Sequence, residues 1–165
     1  MIGTGAIGQR VIALGKSFGM EVIAWTFNPS PQRASEYGVS FVSLDELLTG
    51  AYVVSLQLPL SPSSEGLIGS HQLKTSAILV NVGRGAVVEE DALVDALRRG
   101  RIACAGLDVF STEPLWPEHP FMHLENVVLS PHNAANTPEA NRAGLAIAIQ
   151  NIYNWHQGLP TNVVV

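Results

Sequence analysis

The stretch that decides the fold is Gly3-Thr4-Gly5-Ala6-Ile7-Gly8, followed without interruption by Gln9-Arg10-Val11-Ile12-Ala13-Leu14-Gly15-Lys16-Ser17-Phe18-Gly19. Gly-x-Gly-x-x-Gly is the form of a phosphate-binding turn. The first glycine permits the tight bend, the second lets the backbone approach a pyrophosphate, and the third allows close helix–strand contact. Ile7, Val11, Leu14 and Phe18 then recur at helical spacing, and Gly19 stands where a helix C-cap belongs. A helix opening near Ala6 aims its free N–H groups at an anion. No Gly-Lys-Ser/Thr follows, so the turn is not a P-loop. Such turns follow a buried strand, yet only Met1 and Ile2 precede this one, whereas strands usually have about five or six residues. The expectation is therefore a truncated first strand with a segment missing upstream.

Outward from the turn, short apolar runs alternate with helical patterns. Val22–Trp25, Tyr52–Leu56, Ala77–Val80, Ile102–Leu107 and Val127–Leu129 read as buried strands, with Val39–Phe41 as a brief one. Helices are expected over 32–37, stopped by Gly38; after Ser43, with Glu46 three residues on; from Glu89 to Arg99, acidic in front and basic behind; and from Thr137-Pro138-Glu139 onward, with Leu145, Ile149 and Ile152 on one face. The alternation defines an α/β protein: a Rossmann-type doubly wound parallel sheet with helices on both faces. Residues 1–136 form the dinucleotide-binding domain, and 137–165 a C-terminal helix and tail.

Composition agrees. The 165 residues are 47% hydrophobic and 14% charged, with a mean hydropathy of +0.22, which excludes disorder and suits a sheet covered on both sides. A chain this long buries about 70% of its unfolded surface and needs no staple. Nine basic residues against 14 acidic ones give a net charge of -5, which argues against a nucleic-acid groove. No apolar run is long enough for a membrane span, and Met1-Ile2-Gly3 does not open a signal peptide; the expected location is cytoplasmic. Cys104, the single cysteine, lies in an apolar stretch and reads as a small core residue.

Ligands of doubly wound sheets bind beyond the carboxyl ends of the strands. Three residues that can do chemistry fall there: Arg84 in Gly83-Arg84-Gly85, Glu113 before Pro114, and His132 in Ser130-Pro131-His132-Asn133. A guanidinium can hold a carboxylate with two parallel bonds. A histidine can exchange a proton with a hydroxyl or ketone near neutral pH, and a nearby carboxylate orients the imidazole. His71, His119, His123 and His156 lack this context, and Glu118-His119 reads as a solvated loop. No spacing supports a metal site. The acidic residue expected on the adenosine ribose is absent: the end of the second strand holds Thr26, Phe27 and Asn28. Without that carboxylate a 2′-phosphate is not repelled, so the cofactor is NAD or NADP. Arg33 is either a phosphate partner or an exposed helix residue.

The same residues resemble the D-isomer-specific 2-hydroxyacid dehydrogenases. The matching pieces are GTGAIGQRVIALGKSFGMEVIAW (3–25), SLDELL (43–48), LPLSPSSEGLIG (58–69), ILVNVGRGAVVEEDALVDALRRGRIACAGLDVFSTEPL (78–115), HPF (119–121) and NVVLSPHNAANTPEA (126–140). They cover nearly the whole chain in order. The resemblance implies a two-domain oxidoreductase that reduces a small 2-keto acid of the glyoxylate or hydroxypyruvate kind, or oxidises the D-2-hydroxy acid, by hydride transfer. This chain would supply the nucleotide domain and the last helix; most of the substrate domain would be absent, leaving the isolated chain weak or inactive. Arg84 would bind the substrate carboxylate, His132 would be the general acid or base, and Glu113 its partner. Gly5, Ala6 and Ile7, within the Gly3–Gly8 turn, would line the pyrophosphate. Thr26 and Asn28 would face the ribose, Leu58, Pro59 and Ser64 would lie along the cofactor, Val82 would touch it by backbone, and Asp108 would reach the carboxamide. A homodimer through nucleotide domains is implied. Thr26 departs from the family's ribose aspartate, Tyr52 stands where an aspartate is frequent, and Glu113 departs from the amide of the formate-oxidising branch. A different class remains open: a dinucleotide-sensing module like the dehydrogenase-related corepressors, binding without turnover.

Overall fold

Ile2 is the hinge of the architecture. It pairs in parallel with Trp25 on one side and Leu56 on the other. Its N–H donates to the Ser55 carbonyl (2.9 Å), its own carbonyl accepts from Gln57 N (2.8 Å), and Trp25 N donates to Met1 O (2.9 Å). Two residues thus serve two ladders, and Ile2 is fully buried between them. The computed structural model of the chain describes residues 1–69, 73 and 76–163; His71 lies outside them.

After the glycine turn the chain runs through α1 (Ala6–Ser17), β1 (Ile23–Ala24), α2 (Pro31–Tyr37), β2 (Ser40–Phe41), α3 (Leu44–Gly50) and β3 (Val53–Leu56). Then come β4 (Ile78–Asn81), a 3₁₀ turn at Gly85–Val87, α4 (Glu90–Arg98), β5 (Cys104–Leu107), a second 3₁₀ turn at Pro120–His123, β6 (Val127–Leu129) and α5 (Pro138–His156). Strands β1 and β2 pair in parallel, as do β3, β4, β5 and β6 in that order. With Met1–Ile2 between β1 and β3, the sheet reads β2-β1-(Met1–Ile2)-β3-β4-β5-β6. Strand order reverses beside Ile2, and right-handed crossovers leaving that point in opposite directions place helices on both faces. The strands are shorter than the apolar runs that announced them, because pairing ends where a neighbour ends: two-residue β2 limits β1 on its outer side.

Helix starts follow the capping residues. Ser30 accepts from Arg33 N, Ser43 from Glu46 N (both 3.2 Å) and Thr137 from Ala140 N (3.1 Å). Gly38 ends α2 in the left-handed region at φ 60°. Ile2, Leu47, Leu48, Val54, Leu56, Leu79, Leu93 and Leu97 share the main core, and Met1, Ile12, Ala24 and Val39 form a smaller one. Each such leucine contributes about 1.5–3 kcal/mol on leaving water. Cys104, read as a core residue, is a half-buried free thiol on β5.

The chain divides into two compact units, Met1–His132 and Asn133–Val165. The division falls a few residues before the boundary after Asn136 expected from sequence. In the second unit the apolar face of α5 exists as read, but Leu145, Ile149 and Ile152 are exposed. No helix among the described residues is long and apolar enough to cross a membrane.

Candidate active site

The glycine turn lies at the carboxyl end of the Met1–Ile2 strand, on the edge where the other candidate residues emerge. Gly3 has φ +89°, and a Cβ there would sit 2.8 Å from the Gln57 carbonyl oxygen. At Gly8 a Cβ would come 2.2 Å from Gly3 O, so α1 can press on the turn only without a side chain. Gly5, by contrast, faces open space. Whereas α2, α3 and α5 carry side-chain caps, α1 has none. Gly5, Ala6 and Ile7 are exposed at this uncapped end. An open cradle of backbone at a helix N-terminus fits a dinucleotide pyrophosphate.

Arg33 is held by bonds to its own chain. Its Nη2 donates to Thr4 Oγ1 (2.7 Å) and Thr4 O (3.2 Å), its Nη1 to Asn28 O (2.7 Å), and the guanidinium lies 5.7 Å from the Tyr37 ring centroid. It is a half-buried staple between the turn and α2, not an exposed helix arginine. Thr26 is half-buried and Asn28 exposed in the loop it anchors. Leu58 is buried and Pro59 exposed after β3. Ser64 does not present its hydroxyl outward: fully buried, it donates to Pro59 O and accepts from Ser61 N, both at 2.8 Å.

Beyond β4, buried Asn81 shapes the Arg84 loop. Its Nδ2 donates to Arg84 O (3.0 Å) and its Oδ1 accepts from Gly83 N (3.1 Å). Val82 is exposed on this loop, and Arg84 projects with its Nη1 on Gly83 O (2.7 Å). At Gly85 a Cβ would meet the Phe110 carbonyl carbon at 2.0 Å, so the Arg84 loop lies directly against the chain leading to Glu113. Asp108, buried at the end of β5, donates its N–H to Asn81 O (3.0 Å).

Glu113 and His132 meet. The carboxylate can only accept, so His132 Nδ1–H donates to Glu113 Oε2 at 2.7 Å, while Phe110 N donates to Oε1 at 3.0 Å. Burial, the largest single influence, pushes the Glu113 carboxyl up. The hydrogen bonds from His132 and Phe110, with the positive charges of His132 and Arg84, outweigh it and hold the group below its ordinary 4.5. His132 adopts φ 51°, a left-handed conformation unusual for a residue with a side chain. Beside the pair lies a cavity of about 250 Å³ walled by Phe110, Leu115, Met122 and Leu129. Arg84 is not among its walls; its link to the pair is its field on Glu113.

The reading of Glu118-His119 as solvated is corrected for His119, which is 3% exposed. Its ring contacts Trp116 edge-on at 4.5 Å, and its Nε2 lies 3.1 Å from Glu90 Oε1. Asn81, Glu90 and His119 were not legible as parts of the site. Their partners in space include residues as far away as the 29 positions between Glu90 and His119, and no local pattern marks that. An asparagine closing a strand just before a Gly-Arg-Gly turn is the one local hint at Asn81.

A glycine turn at the reversal point of a parallel sheet, with an oriented imidazole on the same edge, defines a dinucleotide-binding domain of the dehydrogenase class. Residues 1–134 match the family described as D-isomer specific 2-hydroxyacid dehydrogenase, NAD binding domain, and the chain belongs to that family. It is 44% identical to a glyoxylate reductase of Aeropyrum pernix over 168 residues, 99% of this chain and 50% of the relative. It matches an acyclic imino acid reductase in complex with NADPH and D-Arg with a TM-score of 0.88 and 30% identity, covering 99% of this chain and 52% of the other. A D-isomer specific 2-hydroxyacid dehydrogenase from Lactobacillus delbrueckii ssp. bulgaricus, in its NAD complexed form, gives a TM-score of 0.88 and 32% identity, covering 99% and 54%. The chain thus spans about half the length of the curated glyoxylate reductases it matches.

Proposed function

We propose that the whole protein is an NAD- or NADP-dependent D-2-hydroxyacid dehydrogenase acting on a small 2-keto acid of the glyoxylate or hydroxypyruvate kind, and that it works as a homodimer. The observation that carries this is the Glu113–His132 hydrogen bond of 2.7 Å, at the strand edge that also bears the glycine turn and Arg84. When bound, the nicotinamide supplies or accepts the hydride. Gly5, Ala6 and Ile7 hold the pyrophosphate, with Leu58, Pro59, Val82 and Asp108 along the same edge. Because Nδ1–H is committed to Glu113, the proton exchanged with the substrate oxygen is carried at His132 Nε2. Glu113 fixes that tautomer and the ring's orientation. Arg84 clamps the substrate carboxylate and, with protonated His132, stabilises the oxygen as it becomes negative.

The test is reduction of glyoxylate and hydroxypyruvate by the full-length protein with NADH and NADPH. His132→Gln is expected to lower kcat by about 10²–10⁴-fold, the usual worth of a general acid. Arg84→Gln is expected chiefly to raise KM. Cofactor binding without turnover, or full turnover in the His132 variant, would overturn the proposal.

A further inference from the structure

The proton-transfer pair occupies one end of a second polar network that the proposed chemistry does not use. Glu90 opens α4 and points both carboxylate oxygens at the segment carrying Glu113. Ser111 N donates to Oε2 at 3.0 Å, and His119 Nε2 lies 3.1 Å from Oε1. The tautomer follows from the other side of the ring. Phe121 N donates to His119 Nδ1 at 3.2 Å, so Nδ1 is unprotonated and Nε2 carries the hydrogen toward Glu90. Ser111 and His119 bracket Glu113. One carboxylate therefore ties down both ends of the 111–119 segment, and Glu113 within it accepts from Phe110 N and from His132 Nδ1, one on each oxygen.

A core that needed only filling would be served by a leucine at 119, between Trp116 and Phe121. Burying an imidazole against a carboxylate costs desolvation that only well-placed hydrogen bonds offset. Here both oxygens of Glu90 land on the segment that aims Glu113, and His119 Nδ1 extends the tie to Phe121 N just beyond it. We propose that Glu90 and His119 are positioning residues for the reaction, a buried strut that fixes the 111–119 segment so that Glu113 meets His132. The inference rests on the reading of His132 as the proton-transfer group.

The test reads Glu113 directly and needs no turnover. In the full chain with ¹³C-labelled glutamate carboxyls, Glu113 (assigned by loss of its signal in Glu113→Gln) is titrated in wild type, Glu90→Gln, His119→Asn and Glu118→Gln. His119→Asn keeps an acceptor for Phe121 N but cannot reach Glu90. Glu90→Gln turns a donor toward Ser111 N or His119 Nε2. Both are expected to move the Glu113 midpoint up toward the ordinary 4.5, while Glu118→Gln, a change at an exposed neighbour, leaves it where it was. An unchanged midpoint in a folded Glu90→Gln or His119→Asn chain overturns the proposal. Should neither variant fold, the ¹⁵N spectrum of His119 in the wild-type chain decides: protonation on Nε2 alone supports the strut, and a protonated Nδ1 removes it. If instead the full-length protein shows no reductase activity while these titrations come out as expected, the strut stands and the reaction assigned to His132 falls.

Discussion

Glu113 is the residue on which charge, hydrogen bonding and burial can be weighed against one another. Its carboxyl titrates lower in the folded chain than in the unfolded one, because two donors and two positive neighbours outweigh its partial burial. A group with a depressed folded pKa contributes stability that is fully present above its unfolded value and is lost as pH falls through the folded value. Glu113→Gln removes that contribution. The melting temperature of wild type should therefore exceed that of the variant most at neutral pH, and the gap should narrow between about pH 5 and pH 3. Thermal melts at a series of pH values read this; a gap that stays constant down to pH 3 would mean the carboxylate gains nothing from its partners. Position 26 gives a second test at the same scale. Thr26→Asp places a carboxylate at the position proposed to face the ribose, so NADPH affinity should fall by about tenfold or more with NADH affinity kept, read by fluorescence titration of the full-length protein.

Among the elements, α2 and the glycine turn are bound together by Arg33, with Gln9 Nε2 bridging Thr4 O and the Tyr37 hydroxyl beside it. Arg33 donates to Thr4 and to Asn28, and Thr4 is 1% exposed at the centre of the turn. Arg33→Met keeps much of the apolar stem but removes three hydrogen bonds and takes the guanidinium donor from the buried Thr4 hydroxyl, while the Thr4 carbonyl keeps Gln9 Nε2. Leaving a buried acceptor unsatisfied costs about 1–3 kcal/mol, so the melting temperature should drop. Because the guanidinium is bonded to the turn, NADH and NADPH affinity should weaken together. A selective loss of NADPH would favour the phosphate-partner reading.

These elements also show what could be read before the fold was known. The glycine turn, the caps at Ser43 and Thr137 and the strand-end positions of Arg84, Glu113 and His132 are local signals: spacing, capping chemistry and breaker residues lie within a few positions of one another. The role of Arg33 and the burial of His119 depend on partners 29 residues away in each case, Thr4 and Glu90. Sequence distance hides such pairs, so an arginine on a short helix and a histidine in a proline-rich loop both default to solvent. The bonding of Ser64 was hidden for a related reason. A loop serine has the same composition whether its hydroxyl faces a ligand or, as here, closes the loop on Pro59 and Ser61.

At the scale of the molecule, apolar side chains are distributed very unevenly between the two units. Leu79 is fully buried in the middle of β4, a strand paired on both sides, whereas Leu145 on α5 is 63% exposed. Hydrophobic stabilisation follows area removed from water, so the same chemical change should have opposite weight at the two positions. Leu79→Ala in the 165-residue chain is expected to cost about 2–5 kcal/mol, the range for emptying a buried leucine site. Leu145→Ala should stay within about 0.5 kcal/mol. Urea unfolding of the chain measures both, and comparable losses would show that α5 is covered in solution. The same contrast bears on catalysis. Leu145, Ile149, Ile152 and Trp155 leave α5 with an apolar surface, and the chain spans half of its curated relatives. On the proposed reading, we expect the 165-residue chain to bind NADH or NADPH yet turn over glyoxylate far below the roughly 10 s⁻¹ typical of enzymes. Turnover near that rate by the chain alone would show that Arg84, Glu113 and His132 need no second wall to work.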